Sequence, residues 1–139
     1  MKSTVLIDVN IFIDIFQERE PFWKSSAKVI EMISKKYIKG SFAAHTVSNL
    51  WYILRKTHTE EERRNLIRSI LNCFEICSID REIVLNALER SDFKDFEDCL
   101  QDECAQTGDC SWIITRNVED YKFSKVPAVT PEQFLKQFA

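Results

Sequence analysis

The 139-residue chain is 45% hydrophobic and 29% charged, with only two Gly and three Pro. That balance excludes disordered, collagen-like and low-complexity chains, and so little Gly argues against an all-β fold built on tight turns. A net charge of −3 excludes the overall basic excess of a nucleic-acid-coating protein and leaves local basic patches or an acidic cation site open.

The length fits a single domain spanning residues 1–139, with no linker, repeat or low-complexity tract. Met1 leads within four residues into Val5-Leu6-Ile7, so no signal peptide is expected. The longest uncharged stretch, Ser41 to Leu54, is too short and polar to span a bilayer. The expectation is a soluble, cytoplasmic protein.

Thr4–Asp8 is an apolar run closed by an acid, the pattern of a strand buried on both faces. Asn10 is the expected N-cap of a helix to about Gln17, with Ile11, Ile15 and Phe16 forming its stripe. Spacing puts Asp14 on the solvent side of that helix. Phe22–Ile38 has helical periodicity, and Gly40 is its expected stop. Phe42–Ala44 is a brief strand candidate. Thr46 opens a helix with Val47, Leu50, Ile53 and Leu54 on one face. Thr59–Leu71 reads as a helix with a polar start, and Phe74–Ile79 as a strand. Asp80–Arg90 and Asp95–Thr107 read as helices, the second ended by Gly108. Ser111–Thr115 and Val126–Val129 read as strands, and Pro131–Phe138 as a closing helix with Pro at its first position. The alternation predicts an α/β fold, a three-layer α/β/α sandwich with a mainly parallel sheet of four to five short strands.

Parallel open sheets bind ligands beyond the carboxyl ends of their strands. There the sequence places Asp8 and Asp14, then Asp95, Glu97 and Asp98, then Glu119 and Asp120. Gathered carboxylates raise one another's pKa unless a cation neutralises them, and oxygen-only ligands favour Mg²⁺ or Mn²⁺ over zinc. Plainer roles stand beside this one. Asp95 and Asp98 fit a capping box, and Glu97 and Asp102 read as solvated helix charges. Trp23, Trp51, Tyr52 and Trp112 fall on apolar faces as core residues. His45 and His58 have no obvious acid partner, so no nucleophilic triad is expected. Of the five cysteines only Cys73 and Cys77 are closely spaced, with no second pair, so free reduced thiols are expected rather than a zinc framework.

The motifs taken in order are more specific than any one alone. Val5-Leu6-Ile7-Asp8-Val9-Asn10 resembles the opening of PIN-domain proteins. Ser48-Asn49-Leu50-Trp51-Tyr52 is similar to their third-helix segment, and Asp95-Phe96-Glu97-Asp98-Cys99-Leu100-Gln101 to their D-x-x-D-A-L-Q helix. Thr115-Arg116-Asn117-Val118-Glu119-Asp120-Tyr121 resembles their T-R-N-x-x-D-F signature, and Val129-Thr130-Pro131-Glu132-Gln133-Phe134-Leu135 their closing segment. The likeness covers residues 4–136 and is nearest to the bacterial branch of VapC-like toxins.

That resemblance implies a metal-dependent ribonuclease that hydrolyses RNA phosphodiesters. Asp8, Asp98 and an acid of the 117–120 loop, Asp120, would hold Mg²⁺ or Mn²⁺. Thr115 and Asn117 would support the metal waters or the phosphate. Asn49 stands where many relatives carry Glu, and Asn117 where many carry Asp. Arg116, Asn10 and Arg55 are the candidates to contact RNA. The resemblance further implies a small antitoxin partner and a homodimer, with Trp23, Trp51 and Tyr52 as its candidate surface. The two amides keep a rival open, a catalytically weak or inactive PIN-like module that binds RNA or protein. A haloacid-dehalogenase phosphatase would need a second Asp at Asn10, and a receiver domain a Lys near Val129-Thr130.

Overall fold

The structure, a computed structural model, describes residues 3–137, so Phe138, the expected end of the last helix, lies outside the described residues. In chain order the elements are β1 (Thr4–Ile7), α1 (Val9–Phe16), α2 (Trp23–Ser34), β2 (Lys39–Ala43), α3 (His45–Ile53), α4 (Glu60–Cys73) and β3 (Glu75–Cys77). There follow α5 (Arg81–Leu88), α6 (Phe96–Thr107), β4 (Trp112–Ile114), β5 (Ala128–Val129) and α7 (Pro131–Gln137). Short 3-10 turns cover Leu54–Lys56 and Val118–Tyr121. The five strands pair in parallel throughout, in the order β3-β2-β1-β4-β5.

The central strand shows why the sandwich has three layers. Val5, Leu6 and Ile7 are all fully buried, yet successive side chains of a strand point to opposite faces. Val5 and Ile7 pack with α1, α2, α4 and α7 through Ile11, Phe12, Val29, Ile33, Ile70 and Phe134. Leu6 packs on the other face with Ile83 of α5 and Cys104 and Ala105 of α6. Each such buried aliphatic contributes about 1.5–3 kcal/mol, so β1 needs both covers.

Several expectations are corrected. The residue that caps α1 is Asp8, not Asn10, and its side chain makes no cap hydrogen bond because it is engaged elsewhere. α2 stops at Ser34 rather than Ile38, since Lys36 takes a left-handed backbone with φ of 66°. Gly40 is no helix stop but lies inside β2. A Cβ there would meet the Phe74 ring at 2.7 Å and Ile33 at 2.8 Å, so close packing demands glycine. Asp14 and Asp102 are fully buried, against the solvated positions their spacing suggested. Tyr52, expected in the core, is 62% exposed. The polar start of α4 is a capping box between Thr59 and Glu62. The cysteines are free, as expected. No helix among the described residues is long and apolar enough to cross a membrane.

Candidate active site

β1 delivers Asp8 to the end of the sheet, where its backbone N–H donates to the Ile114 carbonyl at 3.0 Å and locks it to the β1–β4 seam. Asp8 is only 6% exposed, so its charge must be met from within. Oδ2 accepts from Thr115 Oγ1 at 2.9 Å, Tyr121 OH at 3.2 Å and Asn10 Nδ2 at 3.3 Å. Oδ1 accepts from Gln101 Nε2 at 3.3 Å. All four donors are neutral. Burial pushes the Asp8 pKa up, and hydrogen bonds, led by that from Thr115, oppose it.

α6 delivers the second acid. Asp95 caps that helix by accepting from the Glu97 N–H at 2.8 Å, so it alone takes the capping role expected of the Asp95–Asp98 pair. Asp98, one turn inside, is half-buried and accepts from Tyr121 OH at 3.2 Å. One phenol carries one proton, so it cannot donate to Asp8 and Asp98 together. Burial first, then the charges of Asp8 and Asp95, push the Asp98 carboxyl up to about 7. Asp120 adds further negative potential. Asp98, Asp120, Glu119, Asp92 and Asp95 line a cleft of about 260 Å³ with Lys94 and Lys122 at its sides.

Other expected residues take defined places. Thr115 is fully buried and also accepts from the Asn117 backbone N–H at 3.1 Å. Asn117 itself is exposed. Asn10 points inward: it donates to Asp8 and to Thr115 Oγ1 and accepts from the Arg116 N–H at 3.3 Å. Asn49 donates to Glu97 at 3.3 Å, so an amide on α3 and an acid on α6 meet beside the cluster. The Arg116 guanidinium is committed to buried Asp14 at 2.9 Å and lies over the Phe22 ring at 4.6 Å. Its first role is therefore to neutralise Asp14. Arg55 stacks on exposed Tyr52 at 3.7 Å, and no contact among the described residues joins it to the acids.

Three participants escaped the sequence reasoning. Tyr121 bridges the two acids, and Gln101 holds the far oxygen of Asp8. Gln101 follows Asp98 by three residues, the helical spacing that could have flagged it. His45 opens α3 two residues after the end of β2 and is half-buried, with the charges of Glu97, Asp8 and Asp95 acting on it. No acid is hydrogen-bonded to it, and its Nδ1 is buried without a partner among the described residues, in keeping with the expectation that it has no obvious acid partner. Burial is nonetheless the larger influence and holds its pKa down.

No three acids, histidines or cysteines among the described residues converge as a ready-made ligand set. Asp8 and Asp98 nevertheless compete for one tyrosine proton, and no Lys or Arg among the described residues forms an ion pair with either. Asp98 on the cleft wall, with Asp8 behind it and joined through Tyr121, fits a hard divalent cation such as Mg²⁺, which uses one or two carboxylates and keeps several waters.

A family model described as "PIN domain" matches residues 4–119. The ribonuclease VapC1 of Aquifex aeolicus (strain VF5) is 25% identical over 138 residues, covering 96% of this chain and 94% of that protein. A toxin–antitoxin complex from Klebsiella pneumoniae superposes with a TM-score of 0.70 at 26% identity, covering 91% of this chain and 97% of that one. VapBC2 from Rickettsia felis, bound to a promoter DNA fragment, superposes with a TM-score of 0.68 at 14% identity, covering 91% and 98%. With its motifs in order, its parallel sheet and a match over most of its length, the chain belongs to the PIN-domain family.

Proposed function

We propose that this chain is an Mg²⁺- or Mn²⁺-dependent endoribonuclease, a cytoplasmic toxin restrained by an antitoxin protein. The observation that carries this reading is the Asp8–Tyr121–Asp98 arrangement at the carboxyl end of the parallel sheet, where two acids lack a cationic partner among the described residues. The relative named a ribonuclease and the toxin–antitoxin assemblies of like fold support it.

Asp8 and Asp98 would hold the ion, with Asp120 on the rim of the same cleft. The ion supplies Lewis-acid polarisation of the phosphodiester and activation of water. Thr115, Asn10 and Gln101 keep the Asp8 carboxylate in one orientation. Tyr121 sets the spacing between the two acids. Asn117, exposed at the head of its turn, would meet the phosphate, and Glu97 beside Asn49 would supply an acid near the position where relatives carry Glu. Arg55 on its exposed Tyr52 platform extends the RNA path, and the same face is offered to a homodimer partner.

The test is cleavage of a structured RNA by purified protein in chelator, then in Mg²⁺ or Mn²⁺, with Asp98→Asn beside wild type. Metal-dependent cleavage lost in Asp98→Asn supports the reading, as does growth arrest on expression of wild type alone. A protein that binds neither ion and cleaves nothing is instead the non-catalytic binding module that the amides at Asn49 and Asn117 suggest.

A further inference from the structure

A cavity of about 460 Å³ lies away from the acids, where the edge strand β3 runs beside α5 and α6. Cys77, the last residue of β3, lines it and is half-buried. Its thiol reaches across the sheet face to α6, where Sγ donates to the Cys104 carbonyl at 3.7 Å. Cys104 is fully buried, and Cys110 lies beyond it, 3.6 Å from Ser41 Oγ. One thiol faces the cavity, and a second stands behind it on another element. That is the arrangement of an attacking and a resolving cysteine.

We propose that Cys77 is an oxidation site for neutral hydroperoxides and that Cys104 resolves it into a Cys77–Cys104 disulfide. In the first step Cys77 sulfur attacks the peroxide, the O–O bond breaks, and Cys77 becomes a sulfenic acid as water or alcohol leaves. In the second step Cys104 sulfur displaces the sulfenic oxygen, which leaves as water with the Cys104 proton. The two thiols together lose two electrons and two protons, and the peroxide takes them up. Glu75, Asp80 and Glu82 line the cavity, so it disfavours anionic electrophiles and admits a neutral peroxide. Hydrogen bonding with Cys104 draws the Cys77 pKa down and Cys104's own up, so the accessible thiol is the more acidic of the two. The new bond would tie β3 to α6, the helix that carries Asp98 and Gln101.

Cys73 is exposed and would react on its own, so every protein tested carries Cys73→Ser. That protein is treated with hydrogen peroxide and examined by intact mass and non-reducing peptide mapping. The expected result is the loss of two hydrogens, a peptide link between residues 77 and 104, and reversal by dithiothreitol. Adding Cys104→Ala, an apolar replacement the core tolerates, should stop the reaction at a dimedone adduct on Cys77. An unchanged mass would overturn the proposal. So would a link between Cys104 and Cys110, or the same hydrogen loss after Cys77→Ser. None of these readouts depends on RNA cleavage or on a bound metal.

Discussion

Two buried acid networks in this small domain are neutralised in opposite ways. Asp102 and Glu103 on α6 meet the Arg90 guanidinium, each at 2.7 Å, and Asp102 also accepts backbone N–H groups of Lys125 and Val126 at 2.9 and 3.0 Å. Asp14 is similarly matched by Arg116. Asp8 and Asp98, on neighbouring elements, receive only neutral donors among the described residues and compete for one of them. The first network is complete as folded and ties α6 to the loop before β5. The second holds negative charge in reserve, which makes the protein less stable by itself and ready for a cation. The difference separates structural acids from functional ones more sharply than burial does, because both networks contain fully or nearly buried carboxylates.

The comparison breaks most visibly at Asp102. Asp102→Ala takes away one of the two carboxylates that meet largely buried Arg90 and frees two backbone donors, so urea unfolding should show a loss of about 3 kcal/mol. RNA cleavage by the remaining folded protein should persist. The Tyr121→Phe change acts on the other network. It removes a buried hydrogen bond to a charged group, about 1.5–3 kcal/mol by denaturant midpoint, and lowers metal affinity or cleavage by roughly 10–100-fold. Equal cleavage by Tyr121→Phe and wild type would show that the bridge does not set the site.

A pH titration sharpens the contrast. The folded Asp98 carboxyl is raised from 3.8 to about 7, so between those values the folded state binds more protons than the unfolded one. Stability in chelator should therefore fall as pH rises from about 4 to about 7 and level off above. The loss is about 1–2 kcal/mol, below the full linkage value because Asp98 is half-exposed to screening solvent. Asp98→Asn should remove most of that slope and leave the part due to Asp8, whose pKa is also raised. Saturating Mg²⁺ should flatten the wild-type slope by replacing the missing positive charge. The smallest effect is expected at Arg19, whose contact with Asp14 spans 4.0 Å from an exposed side chain. Arg19→Ala should cost less than about 1 kcal/mol in a thermal melt, since Arg116 still holds Asp14.

Strand β1, the acid that ends it and the alternation of strands and helices were legible in the sequence because each rests on a short-range pattern. An apolar run needs cover on both faces whatever its neighbours are. The helix starts at Thr59, Asp80 and Asp95 were legible for the same reason, since a cap is a contact between residues two or three apart. Asp8 and Asp98 were marked by position and motif, and the fold brought them to one tyrosine. Asp14 and Asp102 could not be placed that way. Spacing along one helix puts an acid towards solvent, but it cannot show that Arg116 reaches Asp14 from the loop after β4 or that Arg90 reaches Asp102 from beyond the end of α5. Gly40 misled for the same reason, because what forbids a side chain there is Phe74, thirty-four positions later.

By itself the sequence determined an α/β chain with acids at its strand ends and a family likeness along nearly its whole length. Only the tertiary structure decided which acids are neutralised and which are not. That choice depends on guanidinium, phenol and amide groups arriving from distant segments, and charge balance inside a low-dielectric core is a property of the assembled neighbourhood rather than of any stretch of chain.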